Sequence, residues 1–93
     1  MRFSEALEQC VEGKKITRKD WNGKGMYIYY LPEHKVRIKD WVGLDFEFTP
    51  EEVSRGYVII AGHFDMKNAQ GIRIIGWVAS QTDLTSDQWE VLE

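Results

Sequence analysis

Two stretches of this chain carry residues whose types and spacing suit the recognition of a small ligand. The first is Trp21-Asn22-Gly23-Lys24-Gly25, which puts an aromatic face, an amide, an ammonium group and two glycines into one turn. Backbone N–H groups of such a loop can approach a phosphate closely, because glycine has no Cβ to block it. The second is Gly76-Trp77-Val78-Ala79-Ser80-Gln81-Thr82-Asp83-Leu84, with Trp89-Glu90-Val91 a few residues on. Here indole faces offer stacking area, while hydroxyls, an amide and a carboxylate offer directional hydrogen bonds. Each stretch also has a structural reading. Asn22-Gly23 is a strong hairpin signal. Ser, Thr and Asp bond backbone amides in turns, and Thr82 or Thr85 could cap the short segment before Trp89. Trp21 has nothing evident within its own turn to bury against.

Catalytic chemistry has little support. Asp65, Lys67 and Asp83 could be drawn together as acid, base and cation, but no set of nucleophile, base and orienting group is visible. His34 and His63 are far apart and share no metal-ligand spacing with Cys10. Phosphate-loop and dinucleotide fingerprints are absent from the chain. The expectation is a protein that is not an enzyme and needs neither cofactor nor metal.

The 93 residues suit one small domain, spanning 1–93. Aromatic residues make up 13% of the chain, enough apolar material to exclude disorder by composition. With a single cysteine, Cys10, no intrachain disulfide can form, and a cytoplasmic location is the simplest expectation. Cys10 is expected to be a buried structural thiol. No apolar run approaches membrane-spanning length, and no signal-peptide pattern opens the chain. Net charge is −3, but residues 1–41 hold nine Lys/Arg against six Asp/Glu, and residues 42–93 hold three against nine. That balance argues against binding a nucleic-acid polymer, while the basic first half could still hold a small anion. A merely solvated set of lysines is the alternative.

The elements that must position these stretches read as follows. Phe3 to Gly13 predicts a helix, with Ser4 as N-cap, Phe3, Leu7, Cys10 and Val11 on one face, and Gly13 at the C-terminus. Lys14 to Arg18, Met26 to Leu31, Tyr57 to Ala61, Phe64 to Lys67, Ile72 to Ala79 and Glu90 to Leu92 read as strands, with Asn68 to Gly71 as a turn. Thr49-Pro50-Glu51-Glu52 is a capping box with proline at the first helical position, and Gly56 ends that helix. Lys35 to Trp41 and Leu44 to Phe48 alternate with strand period. Several strands are apolar on both faces, and one short helix covers only one side of a sheet. The expected fold is therefore α+β: a small antiparallel sheet with the N-terminal helix on one face, oligomerising through the other. A fold-back of residues 33–56 is the alternative cover.

Taken together, Phe3-Ser4-Glu5-Ala6-Leu7 with Gly13-Lys14-Lys15, Trp21 to Met26, Asp65-Met66-Lys67 with Ala69 and Gly71, and Trp77 to Leu84 with Trp89-Glu90-Val91 resemble the Thoeris anti-defence type-two family of phage and prophage proteins. The chain departs from that pattern at Gln70, at Gln88 and across Thr85-Ser86-Asp87. The resemblance implies a sponge: a sheet-rich homo-oligomer, dimer or tetramer, that holds a cyclic nucleotide immune signal in pockets between subunits and leaves it intact. The implied signal is a cyclic ADP-ribose isomer, with cyclic dinucleotides in some relatives. Carried over by motif, the residues expected near ligand are Trp21, Asn22, Gly23, Lys24, Trp77, Ser80, Gln81, Thr82 and Asp83. The rival is a protein-interaction module that uses Trp41, Phe46 and Phe48 as anchors; it expects Trp21 and the Ser80 to Asp83 turn to lie apart.

Overall fold

Helix α1 (Phe3–Val11) forms where apolar side chains recur at helical spacing, and it buries Ala6 and Cys10. It starts two residues earlier than Ser4 implies: Arg2 is the N-cap, and the Glu5 carboxylate accepts the Arg2 backbone N–H at 3.2 Å. Its C-terminus closes as expected on Gly13, at φ 109°. Gly13 N donates to Cys10 O and Lys14 N to Gln9 O, the paired reverse bonds that a left-handed residue permits. Val11 is the exception on the predicted apolar face and stands 51% exposed.

In this computed structural model the described residues are 1–41 and 47–93. They group into two compact units, one of residues 1–31 with 63–93 and one of residues 32–62. The first unit is a five-stranded antiparallel sheet built from β1 (Lys15–Arg18), β2 (Tyr27–Leu31), β5 (His63–Lys67), β6 (Arg73–Ile75) and β7 (Trp89–Leu92), in the order β6-β5-β2-β1-β7. Register pairs Ile16 with both Ile28 and Val91, and Met66 with both Ile28 and Ile74, so these side chains share one face. Helix α1 packs there, and the core is Ala6, Cys10, Ile16, Ile28 and Trp89, all fully buried. Burial pushes the Cys10 thiol up to about 11, so it stays protonated at neutral pH. The small α+β sheet with an N-terminal helix is therefore present as expected.

The hairpin that Asn22-Gly23 signals forms, with β1 antiparallel to β2, but through the longer connection 19–26; among the described residues no non-glycine residue has positive φ, which a two-residue primed turn would require of Asn22. One sequence expectation fails in this unit for a reason outside the local pattern. The strand expected over Ile72–Ala79 stops at Ile75, because Gly76 turns at φ 83° and its N–H is held by Asp65 Oδ1 at 2.9 Å. The Asn68 turn forms as read: its Oδ1 accepts from Gln70 N and Ile72 N at 3.0 and 2.9 Å.

The second unit pairs β3 (His34–Arg37) antiparallel with β4 (Tyr57–Ile60). The period-two pattern of Lys35 to Trp41 holds only for its first part, since Ile38–Asp40 is a 3₁₀ turn. Helix α2 (Pro50–Arg55) starts on the predicted box, with Thr49 N donating to Glu52 Oε1 at 2.9 Å and Glu52 N to Thr49 Oγ1 at 3.2 Å. Gly56 closes it in the left-handed region. Trp41 and Phe48 meet edge to face at 6.0 Å and line a shallow cavity of about 200 Å³ with Val58 and Ile60. The expected strand over Leu44–Phe48 and the anchor Phe46 lie at least in part outside the described residues; Glu47 and Phe48 are not in a strand.

Candidate functional site

The residues of both motifs converge on Trp89. Its ring is fully buried on the helix-covered side of the sheet, and its Nε1–H donates to Asp83 O at 2.8 Å. Trp21 meets it edge to face at 5.3 Å, Trp77 meets it at 6.2 Å, and Phe3 lies 5.2 Å away. Offset and edge-on pairs of this kind add to the apolar burial of each ring. Trp21, which had no visible place to bury, is thus a half-buried wall of this cluster, as is Trp77.

The polar run folds as the start of a short helix, α3 (Gln81–Thr85), with Ser80 as its N-cap rather than Thr82 or Thr85. Asp83 N donates to Ser80 Oγ at 3.2 Å, and Ser80 N donates to Asp83 Oδ2 at 2.8 Å. This reciprocal pair satisfies amides that a helix start leaves free. The other oxygen, Asp83 Oδ1, accepts from Arg18 Nη1 at 2.7 Å. Arg18 uses the rest of its fork on Asp20, with Nε and Nη2 donating at 3.0 and 2.7 Å. Burial alone would raise the Asp83 carboxyl, but the Ser80 amide and the Arg18 guanidinium outweigh it and hold the group below the usual carboxylate range. The Asp20 carboxyl is also lowered, first by its hydrogen bond from Arg18.

Asp83 is therefore mostly inward-facing, at 7% exposure, and positions α3. Gln81 and Thr82, beside it in α3, are exposed, as are Asn22 and Lys24 in the β1–β2 connection. Thr82 Oγ1 lies 3.0 Å from Ser80 Oγ. Gly23 is required by packing: a Cβ there would sit 2.6 Å from Met26 Sδ and 2.7 Å from the Ala69 Cβ, so a larger residue must relieve both contacts. Arg18 was missed by sequence reasoning. Its partners are two and sixty-five residues away, and only the nearer one is a local signal. The suggested trio of Asp65, Lys67 and Asp83 does not form. Register sets Asp65 and Lys67 on the face opposite Met66, whereas Asp83 is bonded to Arg18, which shares its face with Ile16. Asp65 is committed to His63 Nδ1 at 2.8 Å and to the Gly76 amide.

Fold and motif geometry together define a small α+β protein in which two tryptophan-bearing motifs share one face of an antiparallel sheet. The chain belongs to the Tad2-like (Thoeris anti-defense 2-like) domain family, whose model matches residues 1–92. It is 30% identical over 92 residues to Thoeris anti-defense 2 of Bacillus phage SP01, covering 99% of this chain and 94% of that protein. Membership supports a phage anti-defence role. Among the described residues no helix is long and apolar enough to cross a membrane.

Proposed function

We propose that this protein counters host defence by binding a cyclic nucleotide immune signal, of the cyclic ADP-ribose type, and withholding it without cleaving it. The observation that carries the reading is the convergence of Trp21, Trp77 and the Ser80-capped turn on one buried tryptophan, in a chain of an anti-defence family. Half-buried indoles offer ring faces for a base. Lys24 supplies positive charge toward phosphate, and Asn22, Gln81 and Thr82 are exposed to read polar edges. Asp83 sets specificity by holding the start of α3, and with it Gln81 and Thr82, in place through Arg18 and Ser80.

Calorimetry with a cyclic ADP-ribose isomer tests the site. Trp21→Ala should weaken binding by about 1–3 kcal/mol if a base stacks there. Gln81→Ala, at an exposed position, should weaken it with no change in melting temperature. Wild-type affinity in both variants would remove the proposed pocket.

The working form is proposed to be a homo-oligomer, dimer or tetramer. Ile72, Ile74, Ile75 and Val78 stand 62%, 44%, 71% and 87% exposed around edge strand β6, an apolar surface that a second copy would cover. Light scattering at micromolar concentration should give a multiple of 10.9 kDa; a monomer mass would count against it.

A further inference from the structure

Trp77 stands on the opposite side of the sheet from the one its sequence position implies. Side chains alternate along a strand, so a continued β6 would put Trp77 with Arg73 and Ile75, on the face away from α1. Its ring instead meets Phe3 and Trp89, each at 6.2 Å, on the α1 side. The crossing happens at Gly76. Register pairs Asp65 with Ile75, which leaves Phe64 facing Gly76, yet it is Trp77 N that donates to Phe64 O, at 2.6 Å. Two residues thus oppose one, as in a β-bulge, a device that re-aims a side chain. The amide that this frees, Gly76 N, donates to Asp65 Oδ1 at 2.9 Å, and His63 Nδ1 lies 2.8 Å from the same oxygen.

We propose that Asp65 is a positioning residue of the signal site: its Oδ1 clamps the Gly76 bulge and so sets Trp77 as the wall beside Trp89. The inference rests on the proposed binding of a cyclic nucleotide, to which Trp77 offers a ring face. Asp65 is fully buried, so it acts through Trp77 and not on the ligand. Its second oxygen, Oδ2, is buried with no hydrogen-bond partner among the described residues. Polar groups left unpaired inside a fold cost stability, and such departures gather where function sets the geometry. Ile75 keeps its place on the other face, so the clamp works within one chain and leaves the β6 edge to a second copy.

Asp65→Ala and Asp65→Asn test the proposal. Trp77 is followed in the ligand-free protein by its indole N–H signal and its ring cross-peaks to Phe3 and Trp89, and affinity for a cyclic ADP-ribose isomer is measured by calorimetry. Asn keeps an acceptor oxygen in the place of Oδ1, so it should hold Trp77 and bind close to wild type. Ala should shift the Trp77 signal, erase the cross-peaks and weaken binding about tenfold, the loss of one stacking wall. In a Trp77→Ala background Asp65→Ala should cost no further affinity, which a general loosening of the fold would not reproduce. Should Asp65→Ala fail to fold, Gly76→Ala replaces it. A Cβ there meets no atom within 4 Å but is strained at φ 83°, and it should displace Trp77 in the same way with a cooperative melt. Unmoved Trp77 signals in the folded variants, wild-type affinity in Asp65→Ala, an Asp65→Asn loss as large as that of Ala, or equal losses with and without Trp77 would each overturn it. A wild type that binds no isomer would refute the signal reading alone, because the Trp77 signals still decide whether Asp65 sets its place.

Discussion

Trp89→Ala is expected to come close to unfolding the protein. The side chain is fully buried, contacts Phe3, Trp21 and Trp77, and donates its indole N–H to Asp83 O. Truncating a buried Trp to Ala costs about 3–5 kcal/mol through lost burial and the cavity left behind. A domain of this size has a total stability of roughly 5–15 kcal/mol. Each kcal/mol lost lowers the melting temperature by about 4–8 °C for a chain of this length. Trp89→Phe keeps an aromatic ring but loses the hydrogen bond, and should fall between. Melting followed by circular dichroism checks the series. A Trp89→Ala protein within a few degrees of wild type would mean that the two motifs are not held together through this ring.

Removing Arg18 should also destabilise the fold, though less. Arg18→Met leaves the Asp83 carboxylate with no cation, and because the pair is part-buried the loss should fall below the roughly 3–5 kcal/mol of breaking a fully buried pair from one side. The pair also sets a pH dependence. The Asp83 carboxyl is lowered in the folded state, so its contribution to stability is fully present above the ordinary value of 3.8 and is lost as pH falls through the lowered one. Wild type should therefore lose more stability than Asp83→Asn as pH drops below about 4. Arg18→Met and Asp83→Asn should be strongly non-additive when combined, because both break one bond. Additive losses, or the same acid profile with and without Asp83, would show that Arg18 and Asp83 act independently.

What could be read from the sequence was what neighbouring residues decide among themselves. The Thr49 box, the Gly13 and Gly56 helix ends and the Asn68 turn are bonds within a few residues, and all four form as read. Ser80 also caps locally, but its Ser-x-x-Asp spacing was read first as a set of ligand groups, when two of the four residues bond each other. Where the outcome depended on distant partners, the pattern misled. Ile72 to Ala79 has the composition of a strand, yet Asp65 from the neighbouring strand takes the Gly76 amide and turns the chain. Trp21 is stranded in its own turn and becomes part of a cluster only because Trp89 pairs alongside Arg18, across the β1–β7 ladder. Arg18 has no motif of its own; its importance comes from β1 lying within reach of α3. The stacking of Lys15 and Lys67 on Tyr27 and of Arg73 on Tyr29 was invisible for the same reason, since these residues come from four strands.

The central claim is sequestration without cleavage, and recovery of the bound molecule tests it most directly. The purified protein is incubated with cyclic ADP-ribose isomers and cyclic dinucleotides, freed of unbound ligand by filtration, then heated, and the released material is analysed by mass spectrometry. The account predicts that a cyclic ADP-ribose-type signal is retained in near-stoichiometric amount and released at its original mass. Recovery of a linear, hydrolysed product would make the protein an enzyme, and retention of none of these molecules would favour a protein-interaction module; either result contradicts the account.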